Sequence, residues 1–545
     1  MRWFVARKWL LGTLVLGLLA TGTTSATAAD PLVSRGKAVT ASSVEAAGLE
    51  AGKAVDGSTS TRWASVEGRD PEWIRVDLGS AHSVSRVRLH WETAHARAYQ
   101  VQTSADGAVW TDVYSTGSGD GGVDDLTVSG TGRYVRVHGT ARATEWGYSL
   151  WEFEVYGTPP PTGVAVPFGS RQQPYAAGIL RPSGGTATLD AQVVDYYRRW
   201  KSAFVRQNCG NGWYQVISPD ADHPYVAEAQ GYGMVVVATM AGADPDARRI
   251  FDGLVKWKID HPSSINPDLL AAEQDVNCRS VNGGDAATDG DLDVAYGLLL
   301  ADRQWGSSGT HDYRQLAIRH INAIKASEVN PSTNLLKLGD WASAGSQYHY
   351  LSRSSDWMAD HFRAFRKATG DPAWDTIRTA HQNLMARLQR DYAPNTGLLP
   401  DFVENTNSAP RPPAGQVLES ANDGRYYWNA CRVPWRIGAD AVTSGDPASL
   451  AAARKLNTWV RAKTGGDPNG IATGYHLDGT QLSGGSAAAF FAPFAVVAAT
   501  DPGSQAWLDA LWGKMLQTPI DSSSYFSASI QLQVMITVTG NHWVP

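Results

Sequence analysis

Ala287-Thr-Asp-Gly-Asp-Leu-Asp-Val-Ala-Tyr-Gly-Leu-Leu-Leu-Ala-Asp-Arg-Gln-Trp305 places three acids, Asp289, Asp291 and Asp293, at the head of an apolar helical run. Acids in a first helical turn complement the helix dipole, so capping alone accounts for any one of them. About sixty residues upstream, Ala227-Glu-Ala-Gln-Gly-Tyr-Gly233 starts a second apolar helix with Glu228 among aromatic and glycine neighbours. A lone Glu beside aromatic residues, together with a second acidic cluster, is also what glycoside cleavage needs. One carboxylic acid protonates the leaving oxygen and other carboxylates serve the anomeric side.

Outward from these runs, the texture is helical from about residue 190 to the end. Roughly twelve amphipathic segments begin near Leu189, Tyr225, Pro245, Thr288, Thr310, Ser354, Pro372, Tyr427, Pro447, Gly485, Pro502 and Ser523. Several start on caps, as at Asp371-Pro372 and Asp501-Pro502. Twelve helices in one domain suggest six hairpins closed into a toroid. Residues 30–157 read differently. Short alternating runs such as Trp73-Ile-Arg-Val-Asp-Leu78, Val84-Ser-Arg-Val-Arg-Leu89 and Tyr134-Val-Arg-Val-His138 are parted by Gly, Asp and Ser turns, the pattern of an antiparallel sandwich. A Pro-rich linker, 158–166, separates this domain from a helical one spanning 167–545.

The 545 residues are 43% hydrophobic and 18% charged, enough for two or three domains with real cores. Residues 1–29 read as a secretory signal. A basic start with Arg2, Arg7 and Lys8 precedes an apolar Trp9–Ala20 stretch and the small-residue cleavage site Ala26-Thr-Ala28. Its removal takes the formal charge from −6 to −9 through the loss of those three basic residues. That argues against nucleic acid or an anionic membrane as partner. A secreted monomer is expected. Of three cysteines, Cys209 and Cys278 lie in Gly/Asn-rich loops and are paired, leaving Cys431 as a buried thiol. The histidines show no metal-type spacing, and no cofactor is expected for catalysis.

Ala287–Trp305 resembles the signature of glycoside hydrolase family 8, departing from it at Val294 and Gly297. Glu228–Met234, Arg353-Ser-Ser-Asp-Trp-Met358 and Cys431-Arg-Val-Pro-Trp-Arg436 match the same family in order. The resemblance covers about 165–545. It implies an all-α (α/α)6 barrel and an inverting, endo-acting enzyme on β-1,4-linked polysaccharides: cellulose, mixed-linkage glucan, xylan or chitosan. Glu228 falls on the family's general acid, and Asp289 on the acid that holds the sugar at the cleavage subsite. Tyr232, Asp291, Asp356, Trp357, Asn429, Arg432, Trp435 and Arg436 are expected to bind substrate. One subfamily takes its base from an Asp directly before the Ala-x-Arg-x-Pro-Trp run. Here that position is Asn429, and an amide cannot accept a proton from water. A second subfamily, which includes chitosanases and lichenases, uses the loop before that helix. Gly415–Gly424 offers Glu419 and Asp423, and Glu419 is favoured because Asp423 precedes a glycine in a turn-like context.

The first domain resembles the discoidin-type jelly-roll modules of carbohydrate-binding family 32. The matching residues are Ala54-Val-Asp-Gly-Ser-Thr-Ser-Thr-Arg-Trp63, Trp73–Gly79, Tyr134–Val137 and Leu150–Gly157. In that family the first run carries a structural calcium, which implies Asp56 and Glu152 as ligands. Glu45, Arg62, Glu67, Glu92, Trp146 and Tyr148 fall in loops that hold sugar. Modules attached to chitosanases use acids at such positions against glucosamine amines, and charge-assisted bonds help only with a cationic ligand. The leading expectation is therefore a chitosanase, with a cellulase or lichenase as the alternative. A catalytically silent polysaccharide-binding protein is the remaining reading, on the strength of Asn429 alone.

Overall fold

The computed structural model describes residues 31–545 apart from 105–106, 109, 159–162 and 220–223. The expected signal segment and residues 159–162 of the linker therefore lie outside the described residues. The chain divides into two compact units, a β unit ending at Gly163 and a helical unit beginning at Val164. Ala165 and Val166, expected in the linker, belong to the helical unit. Their backbone is held there by Gln304, whose Oε1 accepts from the Val166 N–H at 2.7 Å and whose Nε2 donates to the Val166 carbonyl at 2.9 Å.

In the β unit, seven antiparallel strands form one sheet system: β1 Ala38–Ala41, β2 Trp63–Ala64, β3 Glu72–Trp91, β4 Ala96–Ser104, β5 Thr111–Thr116, β6 Val123–Arg142 and β7 Ser149–Thr158. The order is β2-β7-β3-β6-β4-β5, with β1 also on β3. Register shifts after Asp77 and Val84 break the long β3–β6 pairing. Bulges of this kind bend a strand so that it can serve two layers. The alternation read in the sequence is the burial pattern. Ile74, Val76 and Leu78 point into a core with Trp63, Leu89, Tyr99, Val101 and Phe153, while Arg75 and Asp77 face outward.

The helical unit contains α1 Thr186–Phe204, α2 Ala227–Thr239, α3 Ala247–Asp260, α4 Thr288–Trp305, α5 Tyr313–Ser327, α6 Ala359–Thr369, α7 Ala373–Asp391, α8 Val433–Ser444, α9 Pro447–Thr464, α10 Ala488–Phe491, α11 Pro493–Ala499, α12 Gln505–Gln517 and α13 Tyr525–Val538. Helices α10 and α11 run on through the helical Ala492, so among the described residues twelve helices build an (α/α)6 barrel. Thr288 and Pro447 are the first residues of their helices, as expected. The start expected near Ser354 falls instead on a 3-10 turn, Ser354–Asp356, and α6 follows at Ala359.

Alternate helices differ in burial. Every residue of α2 and of α11 is buried, as is Ala528–Val538 of α13, so these form the inner ring. In α3 only one face, with Ile250, Phe251, Leu254 and Trp257, is buried, as befits the outer ring. Two glycines bring α2 and α4 close. A Cβ on Gly290 would lie 2.7 Å from the Ala227 backbone carbon, and one on Gly297 would lie 2.7 Å from the Met234 Cβ. The second contact explains a glycine where the family signature differs. Together they hold the heads of α2 and α4, and so Glu228 and Asp289, against each other.

Candidate active site

The inner helices present their N-terminal ends to one site. Glu228 and Asp289 are the second residues of α2 and α4, Tyr525 is the first of α13, and Asn429 and Arg432 stand just before α8. Arg432 ties them together. Its Nη1 donates to Glu228 Oε2 and, at 3.0 Å, to Asp289 Oδ2, and its Nη2 donates to Asn429 Oδ1 at 2.9 Å. Arg353 Nη1 donates to the same Asp289 oxygen at 2.8 Å, and the Tyr525 hydroxyl donates to Glu228 Oε1 at 2.5 Å.

The two acids ionise differently in this shared setting. Burial pushes Glu228 up to about 7, Arg432 opposing it and the nearby Asp289 charge adding to it. Burial would also raise Asp289, but Arg353 and Arg432 outweigh it and hold that carboxyl below the usual range. Neighbouring carboxyls driven apart in this way mark one proton donor and one fixed anion. Asp356, fully buried, is raised to about 6 by burial, against the pull of Arg353.

Glu419 lies across Asn429 from Arg432. Its Oε2 accepts from Asn429 Nδ2 at 2.7 Å, while its Oε1 is buried with no hydrogen-bond partner. The residue as a whole is partly exposed, but this oxygen is not. Burial raises its pKa, with Arg353 and the Asn429 bond opposing. Asp423, the other candidate base, has a different task. Its carboxylate accepts the backbone N–H groups of Val417, Leu418, Glu419 and Ser420 at 2.8–3.1 Å. It is fully buried and shapes the loop that carries Glu419. Val417 and Leu418 pack against Leu338, Leu351 and Phe402, which anchors the same loop from its apolar side.

Three of the expected substrate ligands are corrected. Asp291 is sealed, accepting from the Leu270 N–H at 3.0 Å and facing His320 Nε2 at 2.8 Å, so it braces a loop against α4. Arg436 makes a two-pronged ion pair with Asp293 and lies 3.8 Å over the Trp435 ring. Tyr232 is fully buried against Trp435, with its hydroxyl 3.5 Å from Arg432. These groups support the site from below. The alternating polar and apolar positions of the two motifs gave no way to tell a cleft-facing from a core-facing charge. Trp357 is buried with its Nε1 on Ser352 Oγ at 3.0 Å.

Three participants were not singled out from sequence. Arg353 stood inside a quoted motif. Asp401 is a lone acid in the apolar run Leu398-Leu-Pro-Asp-Phe-Val403, a signal that was available. Tyr525 opens the last inner helix, and no local pattern marks it. Cys209 and Cys278 are joined by a disulfide with Cα atoms 6.1 Å apart, and Cys431 is a buried thiol.

In the β unit, backbone bonds gather several of the expected sugar-binding residues at one edge. The Glu45 N–H donates to the Ala64 carbonyl, Gly68, next to Glu67, donates to the Trp146 carbonyl, and Glu92 donates to Ser149. Glu45, Glu67 and Trp146 are exposed, Trp146 at 45%. Glu92 is half-buried and accepts from the Ala94 N–H at 3.0 Å, and Arg62 donates to Ser149 Oγ at 2.8 Å. Tyr148 is corrected: it is buried in the core, its hydroxyl bonded to Asp70, and offers no face to a ligand.

Glu152 Oε1 is buried and unpartnered, and its carboxyl meets the N–H groups of Gly57 and Ser58 beside Asp56. Asp56 is engaged in its own turn, accepting from the Ser58 N–H at 2.9 Å and the Thr61 hydroxyl at 2.8 Å. Among the described residues no group of three or more His, Cys, Asp or Glu could hold a metal, and no helix is long and apolar enough to cross a membrane.

A helical barrel whose inner helix ends converge on a desolvated acid, a fixed anion and a second buried carboxyl defines a polysaccharide-cleaving glycoside hydrolase. The chain belongs to glycosyl hydrolases family 8, whose model matches residues 185–540, and the F5/8 type C domain model matches residues 38–153. It is 40% identical over 370 residues to a β-glucanase of Niallia circulans, covering 68% of this chain and 89% of that one. It is 38% identical over 385 residues to an endoglucanase of Bacillus sp. (strain KSM-330), covering 69% and 81%. Among solved structures it is similar to the apo β-1,3-1,4-glucanase of Paenibacillus sp. X4, with 40% identity and a TM-score of 0.68 over 70% of this chain and all of that one. These relatives favour the β-glucanase alternative over the leading expectation of a chitosanase.

Proposed function

We propose that the chain is a secreted, inverting endo-β-glucanase acting on 1,4-linked or mixed-linkage β-glucan. The observation that carries this reading is the division of labour among buried carboxyls. Glu228, raised to about 7, keeps a proton at mildly acidic pH. It would give that proton to the glycosidic oxygen as the C1–O bond breaks. Asp289 stays ionised between Arg353 and Arg432 and would hold the sugar at the cleavage point. Glu419, with Oε1 unpartnered, would take a proton from the water that attacks C1 from the opposite face. The names of the relatives support β-glucan as the substrate class. With Glu419 as the base, Asn429 gives no ground for a catalytically silent protein.

One observation favours chitosan as a second reading: Glu45 and Glu67 are exposed on the edge that carries Trp146. Carboxylates beside an aromatic platform suit a protonated amino sugar. In the same unit Asp56 and Glu152 would hold a calcium ion, which would neutralise the buried Glu152 charge and fix the loop. Reducing-end release by the full chain from lichenan, carboxymethylcellulose, chitosan and xylan tests the reading. Lichenan or carboxymethylcellulose should lead, and exclusive cleavage of chitosan would reverse the order.

A further inference from the structure

We propose that Asn429, backed by Asp401, is the positioning residue that holds Glu419 for water activation, and that this place requires an amide. The proposal rests on Glu419 as the base. Asn429 uses its hydrogen-bonding capacity in three directions. One Nδ2 proton goes to Glu419 Oε2 at 2.7 Å, the other is directed at Asp401 Oδ2 at 3.4 Å, and Oδ1 accepts from Arg432 Nη2 at 2.9 Å. With two acceptors on one side and a guanidinium on the other, the amide has a single workable orientation. Asp401 is itself fixed, its Oδ1 accepting from the Tyr427 N–H at 2.9 Å and the Ala430 N–H at 2.7 Å. It thereby shapes the short segment that delivers Asn429 and Arg432.

The arrangement has a consequence for the reaction. Glu419 Oε2 is occupied, so the unpartnered Oε1 is the atom left to receive a proton from water. As the water oxygen bonds to C1, its proton passes to Glu419 Oε1, while the proton of Glu228 passes to the departing glycosidic oxygen. Asn429 and Arg432 form a hydrogen-bonded path from Glu419 Oε2 to Glu228 Oε2. They fix the two reacting carboxyls relative to each other. A carboxylate at 429 could donate to neither Glu419 nor Asp401 and would bring a further negative charge beside the Glu419 carboxyl. It would raise the proton affinity of Glu419, leaving that carboxyl protonated over more of the acidic range.

The test is the pH dependence of lichenan hydrolysis by full-length Asn429→Ala, Asn429→Asp and Glu419→Gln, with thermal melts of each. Asn429→Ala should lower kcat about 10²-fold, the scale of a small misplacement of a reacting group. Its acidic limb should move to higher pH because Glu419 loses a donor that favours its ionised form. Asn429→Asp should move that limb further, by about one pH unit or more, and the double variant Glu419→Gln/Asn429→Asp should stay as inactive as Glu419→Gln. An unmoved acidic limb in a folded Asn429→Ala, or recovery of activity in the double variant, would overturn the positioning role and leave the base assignment standing. Wild-type activity in Glu419→Gln would overturn the base assignment itself, and the proposal with it.

Discussion

Asn429 Nδ2 donates to Glu419 Oε2 at 2.7 Å, so the residue that stands where one subfamily keeps its base touches the carboxyl proposed for that role here. On the proposed reading the site keeps a base, carried on a neighbouring loop and held by the amide of Asn429. Several consequences are measurable.

Glu228→Gln removes the proposed proton donor and keeps the shape of the side chain. Turnover on lichenan should fall about 10²–10⁴-fold with an unchanged melting temperature. In the wild type, Glu228 must be protonated to act, and burial has raised it to about 7. Activity should accordingly be lost as pH rises through about 7. A wild-type rate in Glu228→Gln, or full activity at pH 9, would contradict this role.

Asp423→Ala leaves four backbone N–H groups, from Val417 to Ser420, without their shared acceptor. The Glu419 loop should loosen, and kcat should fall about 10²-fold through misplacement of the base. The residual activity should exceed that of Glu419→Gln. If Asp423→Ala were the less active of the two at every pH, Asp423 would be a participant and not a support.

Much of this was legible from the chain. The period of two in the first domain and the run of capped apolar segments in the second gave both architectures, since alternation and helical spacing are direct imprints of which face is buried. Glu228 was conspicuous as an acid opening an apolar run, whereas Asp289 and Glu419 were singled out through the resemblance to glycoside hydrolase family 8. The assignment of Asp291, Arg436 and Tyr232 to the sugar was not sound. Their partners, His320, Asp293 and Trp435, come from other elements or sit on the hidden side of the same helix, and sequence spacing does not say which way an inner-ring charge points. Asp423 illustrates the same limit, because only the folded loop shows its four amide donors converging.

Gly290→Ala would place a Cβ 2.7 Å from the Ala227 backbone carbon, where no flexible side chain can give way. Helices α2 and α4 should be forced apart at their heads, lowering stability by about 1–3 kcal/mol and separating Glu228 from Asp289. Chemical denaturation and kcat/KM on lichenan should fall together. Unchanged values for both would mean that the contact between these helices is not needed for the site.

His361 bridges two buried acids, with Nδ1 2.9 Å from Asp360 and Nε2 2.8 Å from Asp293. Burial would lower its pKa, but the two carboxylates outweigh burial and raise it. A raised histidine contributes stability that is fully present below its unfolded value, about 6.5, and that is lost as pH rises through the folded value. The melting temperature of the wild type should decline above neutral pH more steeply than that of His361→Gln. Parallel pH profiles would show that the bridge carries no net charge-dependent stabilisation.

The most direct measurement of the central claim is proton NMR of the first products released from lichenan, recorded before mutarotation equilibrates them. With Glu228 as acid and Glu419 activating water on the opposite face, the new reducing ends should appear first as the α-anomer. Initial accumulation of the β-anomer would mean retention, and would contradict the roles assigned to these two carboxyls.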